Sequence, residues 1–356
     1  MDFKKIVEPL LNWYAHNARS LPWRDNPTPY RVWISEIMLQ QTRVEAVKPY
    51  FERFVRELPD VPALAEVPED RLMKLWEGLG YYSRAKNLKK AAELMMERYG
   101  GALPQSAAEL AKLPGIGSYT AGAVASIAYG LPEPAVDGNV LRATSRLEAS
   151  RREITDPSVK KELGARLRAV YPAGRASAFT QALMELGATV CLPNGTPLCE
   201  SCPLADLCEA HRKGVENELP VKAPKPPRRV EERTVFLLLS GGMAALHRRP
   251  ETGLLAGLWE FPCAEGRLSA EQAEAAVRAW GLTPERVEPL PAAKHIFTHV
   301  EWHMEGYLIR TEQPDGEFVW AEYEELLADY AVPSAYRVYL RILRRLAGEG
   351  RPHTGT

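Results

Sequence analysis

Two carboxylates, a pair of glycines in a short turn and four clustered cysteines are the residues of this 356-residue chain best suited to chemistry. Glu36 stands in Trp33-Ile34-Ser35-Glu36-Ile37-Met38-Leu39-Gln40-Gln41-Thr42, an otherwise apolar helical stretch. Burial there would raise the carboxyl's pKa and keep it protonated near neutral pH, as a general acid requires. Asp137 lies in a Gly-containing turn, Ala135-Val136-Asp137-Gly138-Asn139-Val140. One acid and one anion in unlike environments suit departure of a leaving group from a sugar carbon through an oxocarbenium-like state. Spacing alone leaves structural roles open for both, Asp137 as a turn or helix cap and Glu36 as an ion-pair partner.

Leu113-Pro114-Gly115-Ile116-Gly117-Ser118-Tyr119-Thr120 sets two glycines just before a helix. Backbone N–H groups in such a turn can approach a phosphate closely, and the helix N-terminus favours the anion. Helix–hairpin–helix modules grip a nucleic-acid backbone this way without reading sequence. A plain interhelical turn is the alternative. Cys191, Cys199, Cys202 and Cys208 are separated by gaps of seven, two and five residues. Reduced thiols clustered so tightly read as metal ligands rather than disulfides. Four thiolates suit a tetrahedral zinc ion or a [4Fe–4S] cluster. A structural zinc site usually draws on two Cys-x-x-Cys knuckles; here there is one, which tilts the choice toward iron–sulfur. Cys263 reads as a buried apolar residue rather than a fifth ligand.

The elements that must hold these groups are helical up to residue 215. Apolar residues recur at helical spacing in Val32–Val47, Leu72–Leu79, Leu88–Met96, Tyr119–Tyr129 and Phe179–Val190. Residues 216–231 hold Pro220, Pro224, Pro226 and Pro227 among Lys222, Lys225, Arg228 and Arg229. They read as an extended linker, either a spacer or a strap that contacts phosphates. Beyond it, Thr234–Ser240, Lys294–His299 and Val300–Arg310 have strand character, and Glu271–Trp280 reads as an amphipathic helix. Ser334 is the expected N-cap of a closing helix over Tyr336–Leu346. The chain is therefore expected to be multidomain: mainly α over 1–215, a linker over 216–231, and α+β over 232–350.

The net charge of -1 hides an asymmetry. Residues 1–215 carry 28 Lys+Arg against 25 Asp+Glu, and residues 232–356 carry 13 against 18, so a polyanion-binding surface is expected on the first part. With 46% hydrophobic residues a largely disordered chain is excluded. No apolar run approaches the roughly 18 residues of a membrane span, and no signal segment follows Asp2, Lys4 and Lys5. The expected location is the cytoplasm.

Taken in order, the motifs resemble the adenine DNA glycosylases, the MutY family of the helix–hairpin–helix glycosylase superfamily. They are Leu21-Pro22-Trp23-Arg24, the Glu36 segment, Trp76-Glu77-Gly78-Leu79-Gly80-Tyr81-Tyr82-Ser83-Arg84-Ala85, the hairpin, Val136–Val140 and the four cysteines. Gly253–Pro262 and Phe297-Thr298-His299 resemble the family's C-terminal, Nudix-like domain, so the likeness spans nearly the whole chain. It implies that Glu36 protonates the departing adenine and that Asp137 stabilises the sugar cation, supported by Tyr119 and Asn139. Arg19, Trp23, Arg24, Leu39, Thr42 and Gln181 map to the adenine pocket. Gln41 and Tyr81 would enter the duplex where the base is extruded, the hairpin Leu113–Ser118 would hold DNA, and Phe297, Thr298 and His299 would read 8-oxoguanine. Extrusion is required because the glycosidic bond cannot be reached within the stack.

The resemblance further implies a [4Fe–4S] cluster on Cys191, Cys199, Cys202 and Cys208. The expected partner is double-stranded DNA with adenine opposite 8-oxoguanine or guanine, met by a monomer. Tyr119 stands where endonuclease III-like enzymes carry the lysine that forms a Schiff base, so the expected enzyme removes a base without cutting the strand. Two positions depart from the family. The first cysteine gap has seven residues instead of six, and Thr298 replaces a serine common among relatives. A Nudix-type pyrophosphatase would need helix-borne carboxylates for Mg²⁺, and Glu271–Arg278 lacks a dense acidic face. The second domain is therefore expected to recognise rather than hydrolyse. The rival readings are a thymine or uracil mismatch glycosylase and a non-catalytic DNA-binding iron–sulfur scaffold.

Overall fold

The computed structural model describes residues 1–224, 226–314 and 316–349. Lys225 of the expected linker and Gly350, the expected end of the second domain, lie outside the described residues. The helices are α1 (Lys4–Asn17), α2 (Pro29–Leu39), α3 (Val44–Glu57), α4 (Val61–Glu66), α5 (Glu69–Trp76), α6 (Ser83–Tyr99), α7 (Ala107–Leu110) and α8 (Ser118–Ile127). They continue as α9 (Gly138–Leu147), α10 (Pro157–Arg168), α11 (Ala176–Thr189) and α12 (Glu209–Lys213). By its internal contacts the chain forms two compact units, Met1–Val67 with Lys86–Pro224, and Pro68–Ala85 with Lys225–Thr356. Residues 68–85, expected within the helical domain of 1–215, thus group with the C-terminal unit. Lys74 donates to the Tyr330 carbonyl and Val332 N–H donates to Glu77, each at 2.9 Å, which fastens α5 there.

In the first unit one apolar core joins α1, α9, α10 and α11 through Ile6, Leu10, Val140, Leu167, Phe179 and Leu186. Fully burying each such side chain stabilises the fold by about 1.5–3 kcal/mol. Local chemistry sets the helix starts: Thr28 accepts the Arg31 N–H and Asp156 the Ser158 N–H, each followed by a proline at the first helical position. The apolar stretch Val32–Val47, expected as one helix, is two, α2 and α3. Gln41 breaks it with a left-handed φ of 58°. Among the described residues no helix is long and apolar enough to cross a membrane.

The second unit contains β1 (Arg229–Ser240), β2 (Met243–Arg248), β3 (Trp259–Glu260), β4 (Cys263–Glu265), α13 (Ala270–Ala279), β5 (Pro284–Ile296) and β6 (Val300–Thr311). β7 (Val319–Glu322), α14 (Tyr323–Asp329) and α15 (Arg337–Glu349) complete it. The sheet runs β3-β2-β1-β6-β5, with β4 on β1 and β7 on β2. β1 and β6 are parallel, and the other pairs are antiparallel. β1 reads as a continuous apolar run because both its faces are covered. Val235, Leu237 and Leu239 pack with Tyr336, Tyr339 and Leu343, whereas Phe236 and Leu238 pack with Ala273 and Val277 of α13.

The expected strands are present with shifted bounds, and the one expected over Lys294–His299 stops at Ile296. β1 starts at Arg229, so the last three residues of the expected linker are sheet, and β5 reaches back to Pro284. Ser334 opens a 3-10 turn rather than capping a helix by its side chain, and α15 follows from Arg337. α13 begins with a complete capping box between Ser269 and Gln272.

Candidate active site

Helices α2, α8, α9 and α11, with the connections on either side of α2, bring the predicted acid, its phenol, the second carboxylate and the pocket residues around one cavity of about 730 Å³. Glu36 is 5% exposed in the middle of α2. Burial pushes its carboxyl up to about 7, the nearby Asp137 charge adds to that, and a hydrogen bond from Tyr119 together with the Arg24 charge opposes it. Tyr119 Oη donates to Glu36 Oε2 at 2.6 Å from the first turn of α8, and burial raises the phenol well above its ordinary value. It acts here as a neutral donor.

Asp137 is a helix cap and a cavity residue at once. It caps α9, Oδ1 accepting the Val140 N–H at 2.7 Å, and it lines the cavity. Asn139 Nδ2 donates to Oδ2 at 2.7 Å. Burial raises this carboxyl too, but backbone N–H groups, the Asn139 amide and the Arg142 charge all favour its ionised form. Glu36 meets one hydrogen-bond donor, Asp137 several. Burial prevails at both, so both carboxyls stand above their ordinary range, with the larger set of donors favouring the anion at Asp137.

The expected pocket residues Arg19, Trp23, Arg24, Leu39, Thr42 and Gln181 all line this cavity, as does Gln41. Trp23 is also core, edge-on to Phe51 at 5.5 Å. Sequence reasoning missed Glu185 of α11, which Arg19 and Arg24 both grip at 2.6–3.0 Å. Burial alone would raise Glu185; the two guanidinium groups outweigh it and hold the carboxyl at about 2. Its signal was present, a lone carboxylate in the apolar run Phe179–Val190. Arg142 and Lys160 were also missed.

Gly115 (φ 76°) lies where an added Cβ would stand 2.8 Å from Asn87, so the hairpin between α7 and α8 requires a glycine there. An added Cβ at Gly117, before α8, meets nothing within 4 Å. Its backbone is therefore open to an approaching anion.

The four cysteines line a second, mostly apolar cavity with Leu147, Leu186, Val190 and Leu204. Arg146 Nη1 donates to Cys191 Sγ at 3.2 Å. The seven-residue gap is absorbed in a loop turned at Gly195 (φ 76°), and Leu198 N–H returns to the Val190 carbonyl at 3.0 Å. Sulfurs around a single zinc ion would stand about 3.8 Å apart, given Zn–S near 2.3 Å. Among the described residues the group of three or more donor atoms within 4.8 Å of one another is Cys199, His211 and Glu216, not the four cysteines. Four thiols facing one cavity without converging fit a multi-atom centre. Cys263 stands apart, its thiol against Tyr336 Oη at 3.3 Å and raised by burial to about 12.

In the second unit Phe297, Thr298 and His299 form the β5–β6 connection. Phe297 N–H bonds the Val300 carbonyl at 2.8 Å. Phe297 also packs on Trp302 at 4.8 Å and so is partly core, while Thr298 and His299 are exposed. Tyr81 takes a left-handed φ of 48°, and its hydroxyl meets Thr298 Oγ1 at 2.6 Å. Holding a non-glycine residue in this region costs on the order of 1–3 kcal/mol.

The helix–hairpin–helix superfamily of base excision DNA repair proteins matches residues 34–169, and the NUDIX domain matches residues 234–341. Adenine DNA glycosylase of Mus musculus is 33% identical, over 93% of this chain and 77% of its own length. That of Buchnera aphidicola subsp. Baizongia pistaciae is 36% identical over 72% and 73%. Among solved structures, a thermostable thymine-DNA glycosylase aligns at TM-score 0.53 and 28% identity over 59% of this chain and 97% of its own. A non-covalent endonuclease III–DNA complex aligns at TM-score 0.52 and 27% identity over 60% and 96%. The mismatch-glycosylase likeness is thus confined to part of the chain, whereas the adenine-enzyme likeness runs through both units. With a buried acid, a helix-capping carboxylate and a glycine hairpin on a scaffold shared with those relatives, the chain belongs to the adenine DNA glycosylase family, base excision repair enzymes with a Nudix-like C-terminal domain.

Proposed function

We propose that this enzyme removes adenine mispaired with 8-oxoguanine, and less readily with guanine, leaving an abasic site. The observation that carries the chemistry is the Tyr119–Glu36 hydrogen bond in one cavity with the helix-capping Asp137. Glu36 delivers its proton to the extruded adenine as the glycosidic bond breaks, Asp137 stabilises the cationic sugar, and water completes the hydrolysis. Tyr119 and Asn139 hold the two carboxyls in register. Tyr119 has no amine, so this position forms no Schiff base with the sugar. Cys191, Cys199, Cys202 and Cys208 hold a [4Fe–4S] cluster that orders the loop between them, apart from base removal.

Thr298 and His299 provide a hydroxyl and an imidazole for the N7 donor and O8 acceptor of 8-oxoguanine, a pair that guanine lacks. A gel assay with duplexes differing only in the mispair tests the function. Adenine opposite 8-oxoguanine should be excised fastest, adenine opposite guanine more slowly, and thymine or uracil opposite guanine left intact. Excision of thymine or uracil in preference to adenine would reject the reading. Thr298→Ala with His299→Ala should narrow the preference for 8-oxoguanine over guanine by on the order of 1–3 kcal/mol. An unchanged affinity ratio would move recognition elsewhere.

A further inference from the structure

Four cations line the active-site cavity. Arg19 and Arg24 are bound to Glu185, and Arg142 is spent on Asn139 Oδ1 and the carbonyls of Gly138, Gly187 and Cys191. Lys160 differs. It is half-buried on the cavity wall, and among the described residues it has no ion-pair or hydrogen-bond partner. It also stands at the fourth position of α10, near the positive end of the helix dipole, where a cation is disfavoured. Helix stability therefore does not account for a lysine here, and among the described residues no carboxylate forms an ion pair with it.

An adenine nucleotide rotated out of a duplex brings its flanking phosphates to the mouth of the pocket that receives the base. A flexible, compact ammonium suits a phosphate whose position is fixed only when the nucleotide arrives. We infer that Lys160 anchors the extruded nucleotide by pairing with a backbone phosphate of the adenine-bearing strand. Its charge is held free for the DNA, whereas the arginines of the same wall are committed to shaping the pocket. This inference rests on the adenine-extrusion reading.

The test measures binding of Lys160→Ala, Lys160→Arg and Lys161→Ala across a salt series. The probes are a duplex holding 2′-fluoro-2′-deoxyadenosine opposite 8-oxoguanine, which resists cleavage, and an undamaged duplex. Loss of one phosphate contact lowers the magnitude of the slope of log Kd against log salt by about 0.9. That drop is expected for Lys160→Ala on the lesion duplex alone, restored by arginine and absent in Lys161→Ala, whose side chain is exposed one residue along. Equal slopes for wild type and Lys160→Ala on the lesion duplex would overturn the inference. So would an equal drop on the undamaged duplex or in Lys161→Ala, since either marks a general charge effect. Failure of the wild type to excise adenine from the unmodified mispair would instead defeat the underlying reading.

Discussion

Because burial lifts Glu36 to about 7, its acid form is depleted as pH rises through that value. Single-turnover adenine excision should then fall about tenfold per pH unit above it, and a flat profile to pH 9 would remove Glu36 from the acid role. Folding responds to the same shift. The folded-state pKa lies above the unfolded one, so this carboxyl's contribution to stability is full below about 4.5 and lost as pH rises through about 7. Glu36→Gln should consequently be more stable than wild type at pH 8, by on the order of 1–3 kcal/mol. It should also lose about 10²–10⁴-fold in excision. Melting and kinetics on one preparation read both effects. At Asp137 the two roles separate by substitution: Asn keeps a capping oxygen but loses the charge, whereas Ala loses both. Excision should collapse in each, with only Asp137→Ala paying a further penalty of about 1 kcal/mol in denaturant unfolding. The carboxylates were legible in sequence because a charged residue in an apolar run or a Gly turn is conspicuous. Glu185 carried the same sign in α11, but its two guanidinium partners come from more than 160 residues away and no local pattern announces them.

At the scale of elements, α9 and α11 touch so closely at Gly187 that an added Cβ would stand 2.5 Å from Asn139 Cβ. Gly187→Ala should therefore displace the start of α9, which carries Asp137, and lower both stability, by about 1–3 kcal/mol, and excision. Gly138→Ala meets nothing within 4 Å and serves as the contrast. If Gly187→Ala melted and turned over like wild type, this packing would not control the site. Helices α6, α8, α11 and α13 were visible as apolar periodicity. The break at Gln41 was not, since a left-handed residue without glycine carries no compositional mark. The early part of β5 was hidden by Pro284, Pro289 and Pro291, which argue against a strand unless it is an edge. Lys160 was equally invisible, because only the tertiary fold brings α10 to the pocket wall.

For the molecule as a whole, the cysteine-lined cavity carries a prediction independent of catalysis. Purified without oxygen, the chain should be brown and contain about four Fe and four sulfide, and chelation of the iron should lower its melting temperature. Stoichiometric zinc without iron would favour the single-ion alternative. The order of motifs along the chain made the two-part architecture readable, but not the grouping of residues 68–85 with the C-terminal unit, which depends on bonds from Lys74 and Glu77 to residues 330–332. The sheet has one further consequence. β5 is its outermost strand, thirteen residues long and largely exposed, the kind of border onto which another polypeptide adds a strand and seeds aggregation. Pro289 and Pro291 offer no N–H, and the register slips between Leu290 and Ala293. An intruding strand finds an interrupted ladder there, and the protein gains colloidal protection from a segment that does no chemistry.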